Sequence, residues 1–532
     1  MVAEKIYKST YIYTVTNGKI SGGVAVTNGK ILAIGSMDEL QTYIAPETEV
    51  IDLGDKLLMP AFIEGHTHMN AYVPKVDMSN AESIEECVAL TTEFRKQYPD
   101  AELIIGEKWY AANWGGTLPT KEDIDSALPD VPFYASDMDS HMIWMNSAFM
   151  KKYGLSKETI EIFSKGNPDM VNVDADGNPT GVVHDEVTMD ILLNMKIPDT
   201  VDNILAMFDV WTRYGVTAVN DMDFYSADSD MFRIVKELEE EGRLNVRVFA
   251  SFNAAKATPE SIEAGKKMMH SDMFRLNSLK TFLDGTGSGY TAYMLKPYKG
   301  TDIVGRPYET KETLVRYLKL AYEHGIALHT HCCGDAAVRH ALDSYTQAAK
   351  EGVRFDHRFS IEHCDTTDPA DVKRPAELGI SLNLTPDFLA PTKRWKDNPY
   401  LQVYDEEEKA KLWTMKSFLD TGANVSFGTD YTASSMNPMD QLYRAVERKA
   451  NDGLPENGYR PEEKLTLDQA VFCYTMGSAR SVGMGDKLGS LESGKYADMI
   501  VLDTNIFESS MEDVKKAVVE MTILNGEIVY QR

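Results

Sequence analysis

The chain has 532 residues, of which 43% are apolar and 26% charged, an ordinary globular balance that excludes a largely disordered chain, a collagen and a coiled-coil rod. Its net charge of −28 argues against nucleic acid or an anionic membrane as a partner, because neither is drawn to a negative field. Five cysteines, Cys87, Cys332, Cys333, Cys364 and Cys473, form an odd set without repeated CxxC spacing, so neither a disulfide scaffold nor a zinc finger is expected. The first fifteen residues, MVAEKIYKSTYIYTV, lack a basic segment followed by an apolar one, and no window approaches a membrane span. The expectation is a cytoplasmic protein in a reducing compartment.

Residues 1 to about 60 are rich in Tyr, Ile, Val and Thr and read as short strands. Hairpin turns are predicted at Asn17-Gly18 and Asn28-Gly29, since both residue types tolerate positive φ, and a further strand pair around Gly54. The C-terminal segment has the same character, with another turn at Asn525-Gly526. Each end is short for an independent core, so residues 1–59 and 482–532 are expected to build one composite β-sandwich domain.

Between them, residues 60–481 change period. Amphipathic stretches such as VDNILAMFDVWTRYG, SDMFRIVKELEEEG and KETLVRYLKLAYEHG each end at Gly, and a short apolar run follows each: VTAVND, NVRVFASF, IALHTH. Helix, Gly, buried strand and then a polar residue is the rhythm of a parallel sheet. Many such units over this length favour a closed barrel over an open sheet, and a (β/α)8 barrel keeps its chemistry at the C-terminal ends of its strands. Residues 75–200 fit the rhythm poorly and are expected to be an insertion near the barrel mouth.

The polar residues fall at those strand ends. PAFIEGHTH closes on His66 and His68, which share a face because i and i+2 of a strand point the same way. His329 and His331 repeat the arrangement in IALHTHCCGD, where Asp335 stands as a candidate helix N-cap. RFSIEH closes on His363 and NVSFGTD on Asp430. Buried imidazoles and carboxylates without partners are costly, and a shared metal removes that cost. Lys280, in LNSLKTFLDG, ends an apolar strand; a lysine buried there would be neutral or modified.

GHTH after a β-rich start, then SLKTFLDG, HTHCCGDAAV, RFSIEH, FGTD and the closing LGSLESGKYADMIVLD, resembles the amidohydrolase superfamily, and within it the amidohydrolase 3 or YtcJ-like branch. HMIWMNSAFM and GEKWYAANW are further likenesses, and the resemblance covers nearly the whole chain. It implies a distorted (β/α)8 TIM barrel with a metal site at its mouth held by His66, His68, Lys280, His331, His363 and Asp430, most often with two zinc ions. Lys280 matches a lysine that this branch can carry as a carboxylated bridge. His329 is not required by the pattern. Ala61 stands where Gly is usual, Thr429 where Ser is usual, and Cys332 and Cys333 follow His331 where small or apolar residues are common; no ligand is lost.

The activity implied is hydrolysis of an amide or other non-peptide C–N bond in an N-acyl or formamide-like small molecule. A metal-activated hydroxide attacks, and Asp430 serves as general base and then acid. A mononuclear deaminase or cyclic-amide hydrolase is the alternative within the superfamily, and a non-catalytic binding or regulatory protein is the alternative outside it. His141, Trp109 and Trp114 are candidate substrate contacts, with packing inside the insertion as the competing role. Glu186 matches a family glutamate whose role the pattern leaves open. A homodimer is a candidate assembly.

Overall fold

The computed structural model describes residues 1–69, 72–137, 142–164, 170–184, 187–188, 191, 199–222, 229–392, 394–431 and 433–532. It divides into two compact units, Met1–Asn70 with Asp199–Arg532, and Ala71–Pro198. Among the described residues no helix is long and apolar enough to cross a membrane.

In the first unit both termini join one mixed sheet. Its strands run in the order Glu527–Gln531, Val519–Leu524, Met499–Leu502, Leu57–Pro60, Lys5–Tyr13, Lys19–Thr27 and Lys30–Gly35. The seam between the two ends of the chain is the antiparallel pairing of Leu57–Pro60 with Met499–Leu502. Tyr7, Val24, Leu58, Met499, Val501 and Ile523, from both ends of the chain, pack in one buried cluster.

Two of the predicted turns take the two-residue form. Asn28 and Gly29 have φ of 50° and 73°, and Asn525 and Gly526 have 51° and 75°, positive at both central positions as a type I′ turn requires. The third does not: Tyr13 pairs with Lys19, so residues 14–18 form a longer loop, and Val15 with Gly18 carries the positive φ. The strands flanking Gly54 also do not pair with each other. Glu49–Asp52 and Leu57–Pro60 lie in line, each parallel to Lys5–Tyr13.

The barrel has eight parallel strands in chain order: Phe62–Thr67, Val216–Asp221, Arg247–Asn253, Phe274–Phe282, Ala327–Cys332, Ser360–His363, Ser381–Leu384 and Asn424–Phe427. The expected (β/α)8 architecture is therefore present. Several of its helices start at side-chain caps: Thr200, Ser229, Thr258 and Thr310 each accept a backbone N–H three residues on. Helix Lys311–Glu323 shows the packing logic, burying Leu314, Val315, Tyr317, Leu318 and Ala321 at helical spacing. Each large apolar side chain so buried contributes about 1.5–3 kcal/mol. Gly325, at φ 69°, then turns the chain into the fifth strand.

The first and last strands meet through a few specific contacts. The Asp430 N–H donates to the His66 carbonyl at 2.9 Å, and the His68 N–H to the Tyr431 carbonyl at 3.0 Å. Glu64 accepts from the Thr429 N–H, and from the Tyr474 hydroxyl at 2.7 Å. Gly428 is required at this closure: a Cβ on it would lie 2.5 Å from the His66 nitrogen. At the other end of the barrel wall, Arg247 forms a buried two-point ion pair with Asp498, at 2.8 and 3.0 Å, which ties the third strand to the terminal sheet.

The second unit has its own six-stranded sheet, ordered Val171–Val173, Pro179–His184, Met142–Met145, Phe133–Asp137, Ile104–Trp109 and Val76–Asp77. Trp109, Phe133 and Trp144 are wholly buried in one of its apolar clusters.

Candidate active site

The barrel register brings together side chains that are far apart in sequence. Lys280 pairs with His329, Phe282 with His331, and Cys332 with His363 across neighbouring strands. His66 and His68, one strand period apart, both turn Nε2 toward Asp430: the distances to its Oδ1 are 3.4 and 3.0 Å. Lys280 Nζ lies 3.4 Å from His66 Nε2. The His363 ring stands 4.8 Å from that of His66 and 4.4 Å from that of His331, centroid to centroid. All six residues singled out from the sequence therefore lie in one connected group. His66 and Lys280 are 0% and 1% exposed, and the His331 and His363 residues 7% and 5%.

Two of these residues have unusual backbone. His363 has φ of 74° and Asp430 of 50°, in the left-handed region that costs an ordinary residue about 1–2 kcal/mol. His363 is the last residue of its strand and Asp430 lies three residues beyond the end of the last one, and at each the chain bends.

Glu362 is the residue the sequence reading passed over. Its Oε2 is 2.6 Å from His66 Nδ1, and its Oε1 is 2.9 Å from His329 Nδ1. Ser360 donates to the same carboxylate. Burial opposes ionisation of Glu362, but the His329 and His66 contacts hold its carboxyl well below the usual range. An ionised carboxylate at Nδ1 leaves the Nε2 lone pair of His66 facing the group. Strand period puts Ser360 and Glu362 on one face, but RFSIEH alone does not say which residues that face meets across the barrel.

Electrostatics follow from burial. Desolvation lowers the Lys280 ammonium below its ordinary value, against the pull of Glu362 and Asp430. Burial pushes His331 down to about 3 and, with His331 beside it, lowers His363 well below the histidine range, so both are neutral. Burial works against the Asp430 carboxylate too, but His66 and His68 hold it well below the usual carboxylate range.

The donor set fits a metal. His66, His363 and Asp430 offer ligand atoms within 4.8 Å of one another. The His–Asp separations of 3.0 and 3.4 Å bracket the edge of about 3.3 Å expected for a tetrahedral ion with N and O ligands. His363 Nδ1 is buried without a hydrogen-bond partner among the described residues.

Other expectations have different outcomes. Asp335 is not the helix cap: Gly334 holds that position, and the Asp335 carboxylate pairs with Lys411 Nζ at 2.8 Å. Trp109 is 0% exposed and gives its Nε1–H to the Ala135 carbonyl at 2.9 Å, a packing role within its own unit. Trp114 is half-buried, with Nε1–H on the Thr117 carbonyl at 2.7 Å. His141 and Glu186 lie outside the described residues.

With barrel and donors in place, similarity to known proteins decides the family. A model of the amidohydrolase family matches residues 49–530. The chain belongs to this family. It is 27% identical over 548 residues to the amidohydrolase-designated YtcJ protein of Bacillus subtilis (strain 168), covering 99% of each chain. It is 25% identical over 533 residues to an N-substituted formamide deformylase of Arthrobacter pascens, covering 96% of this chain and 95% of that relative. A solved structure of an uncharacterised metal-dependent hydrolase from Pyrococcus furiosus matches with a TM-score of 0.71 at 26% identity, over 94% of this chain and 99% of that one. The chain is thus a metal-dependent hydrolase of the YtcJ-like amidohydrolase branch, and its family implies a divalent metal and a small-molecule substrate.

Proposed function

We propose that this amidohydrolase cleaves the C–N bond of an N-acyl or formamide-like small molecule. In this reading His66, His68, Lys280, His331, His363 and Asp430 hold two zinc ions, with Lys280 carboxylated. The observation that carries the proposal is the convergence of His66 Nε2 and His68 Nε2 on one Asp430 oxygen, with the Lys280 amine at 3.4 Å. The formamide class is supported by the Arthrobacter pascens relative, which is named for that activity and matches over nearly its full length.

When bound, the metal supplies the charge that lowers the pKa of a water molecule and polarises a carbonyl oxygen. The residues do the rest. Glu362 holds the His66 Nδ1 proton and so orients its Nε2. Asp430 Oδ1, fixed between His66 and His68, accepts the proton of the attacking water and returns it to the leaving nitrogen. The strand closure at Gly428 fixes the distance between His66 and Asp430.

The test is metal content per chain, followed by turnover of a panel of N-formyl and N-acyl amines. About two equivalents of zinc with release of amine from a formamide supports the reading. One equivalent, with turnover of cyclic amides or aminated heterocycles instead, would replace it with the mononuclear deaminase class. No metal taken up on reconstitution would leave a non-catalytic protein on the same barrel.

A further inference from the structure

The fifth strand ends HTHCCGD, and two cysteines directly follow the strand-end histidine. Cys333 lies one residue beyond the strand, which ends at Cys332. The Cys333 Sγ lies 3.4 Å from His331 Nε2, and the residue is 2% exposed. Asp284, wholly buried at the end of the fourth strand, has Oδ1 at 3.8 Å from the same nitrogen. Sγ of Cys333, a ring nitrogen of His331 and a carboxylate oxygen of Asp284 all lie within 4.8 Å of one another, a second cluster separate in composition from His66, His363 and Asp430.

The chain is built to hold this cluster. Asp284 accepts the backbone N–H of Cys333 at 2.9 Å, of Gly334 at 2.8 Å and of Tyr293 at 2.9 Å. The turn after His331 therefore wraps around the carboxylate, which positions Cys333. Gly334 is needed for that approach, because a Cβ there would collide with the Tyr293 carbonyl. His331 Nε2 is poorly served as a hydrogen-bonding atom: its contacts to the Gly285 carbonyl and the thiol, at 3.3 and 3.4 Å, are long. The thiol separation instead matches the edge of about 3.5 Å between sulfur and nitrogen around a tetrahedral zinc. His363, whose Nδ1 is buried without a partner among the described residues, stacks edge-on beside His331 at 4.4 Å.

We propose that Cys333 supplies a thiolate ligand to the metal held by His331, so that this metal sits in a softer donor set than the one at His66 and His68. The inference rests on the metal-hydrolase reading above. As the sulfur–metal bond forms, the S–H bond breaks and its proton is released to solvent water. Nothing is oxidised or reduced.

The test uses the full chain, stripped of metal and reloaded with cobalt(II). Thiolate ligation gives a near-ultraviolet sulfur-to-cobalt charge-transfer band beside the weaker visible bands of the ion. The wild type is expected to show both. C333S and C333A are expected to keep the visible bands and lose the charge-transfer band, while C332A keeps both. Visible bands without a charge-transfer band in the wild type overturn the proposal and leave the hydrolase reading intact. So does a band that survives both Cys333 variants with normal circular dichroism. Failure of the wild type to bind cobalt at all overturns the metal-hydrolase reading, and this inference with it.

Discussion

Glu362 and His66 are 296 residues apart in sequence and 2.6 Å apart in the barrel, carboxylate oxygen to Nδ1. The same carboxylate holds His329, so one buried anion orients two imidazoles on different strands. Partners of this kind fix the tautomer and raise the basicity of a ligating histidine, and their loss typically costs 10–100-fold in metal affinity. Glu362→Gln keeps the volume and one acceptor but removes the charge. Metal affinity, measured by competition with a chromophoric chelator, is expected to fall by about 10–100-fold with unchanged far-ultraviolet circular dichroism. An unaltered affinity would reduce Glu362 to a filler of the barrel interior.

Lys280 stands 3.4 Å from His66 Nε2 and is 1% exposed. A free ammonium there faces one imidazole and no directly bonded carboxylate among the described residues, whereas a carboxylated side chain would bring its own anion. Lys280→Ala is expected to lower metal content from about two equivalents to one or fewer and to abolish turnover. Added propionate or another short carboxylate should restore part of both by occupying the vacated space. Full metal content in the variant, without carboxylate, would remove the bridge from the mechanism.

The barrel was legible in the sequence because each repeat carries local signals. A cap such as Thr310, an apolar stripe such as Leu314, Leu318 and Ala321, and a stop such as Gly325 at φ 69° are all set by neighbours in sequence. His66 and His68 were legible for the same reason, since their shared face follows from strand period alone. Glu362 was not. Its role depends on which strand lies across the barrel, and that is fixed by closure, not by RFSIEH. Residues 14–18 show the limit for turns: Asn17-Gly18 has the right composition, yet the pairing of Tyr13 with Lys19 makes the loop longer. Trp109 looked like a pocket residue by type, but only three-dimensional packing shows its indole spent on Ala135.

Gly428 links fold to site. It has ordinary backbone, so the constraint is purely one of space: a Cβ would fall 2.5 Å from the His66 nitrogen and 2.7 Å from its Cβ. Relief requires the last strand to move away from the first, which stretches the Asp430 N–H to His66 carbonyl bond. Gly428→Ala is expected to cost about 1–3 kcal/mol in urea unfolding and to weaken metal binding at the same time. A stability loss with unaltered metal affinity would show that the closure does not set the His66–Asp430 spacing.

Chelation tests the cost of holding these groups together without an ion. Lys280 and Asp430 are buried or nearly so, and in the proposed site each loses a partner when the ion is gone. Binding to the native state alone adds about 2.7 kcal/mol at a free metal concentration 100 times the Kd. Thermal unfolding should therefore shift down on treatment with a chelator and return on adding zinc. A midpoint indifferent to both would mean that the group is stable as an ion-pair network in its own right.

In the proposed mechanism Asp430 is the base, and its backbone makes a clean variant available. At φ 50° it occupies a conformation that Asp and Asn tolerate better than other side chains, so Asp430→Asn keeps the bend while Asp430→Ala adds strain. Asparagine can still accept from His68 but cannot take a proton from water at neutral pH. Loss of a positioned base typically costs 10²–10⁴-fold, so kcat is expected to fall by about that factor in Asp430→Asn, with the thermal midpoint little changed. Asp430→Ala should lose the same activity and also stability. If instead Asp430→Asn keeps its turnover, Asp430 is not the base of the reaction.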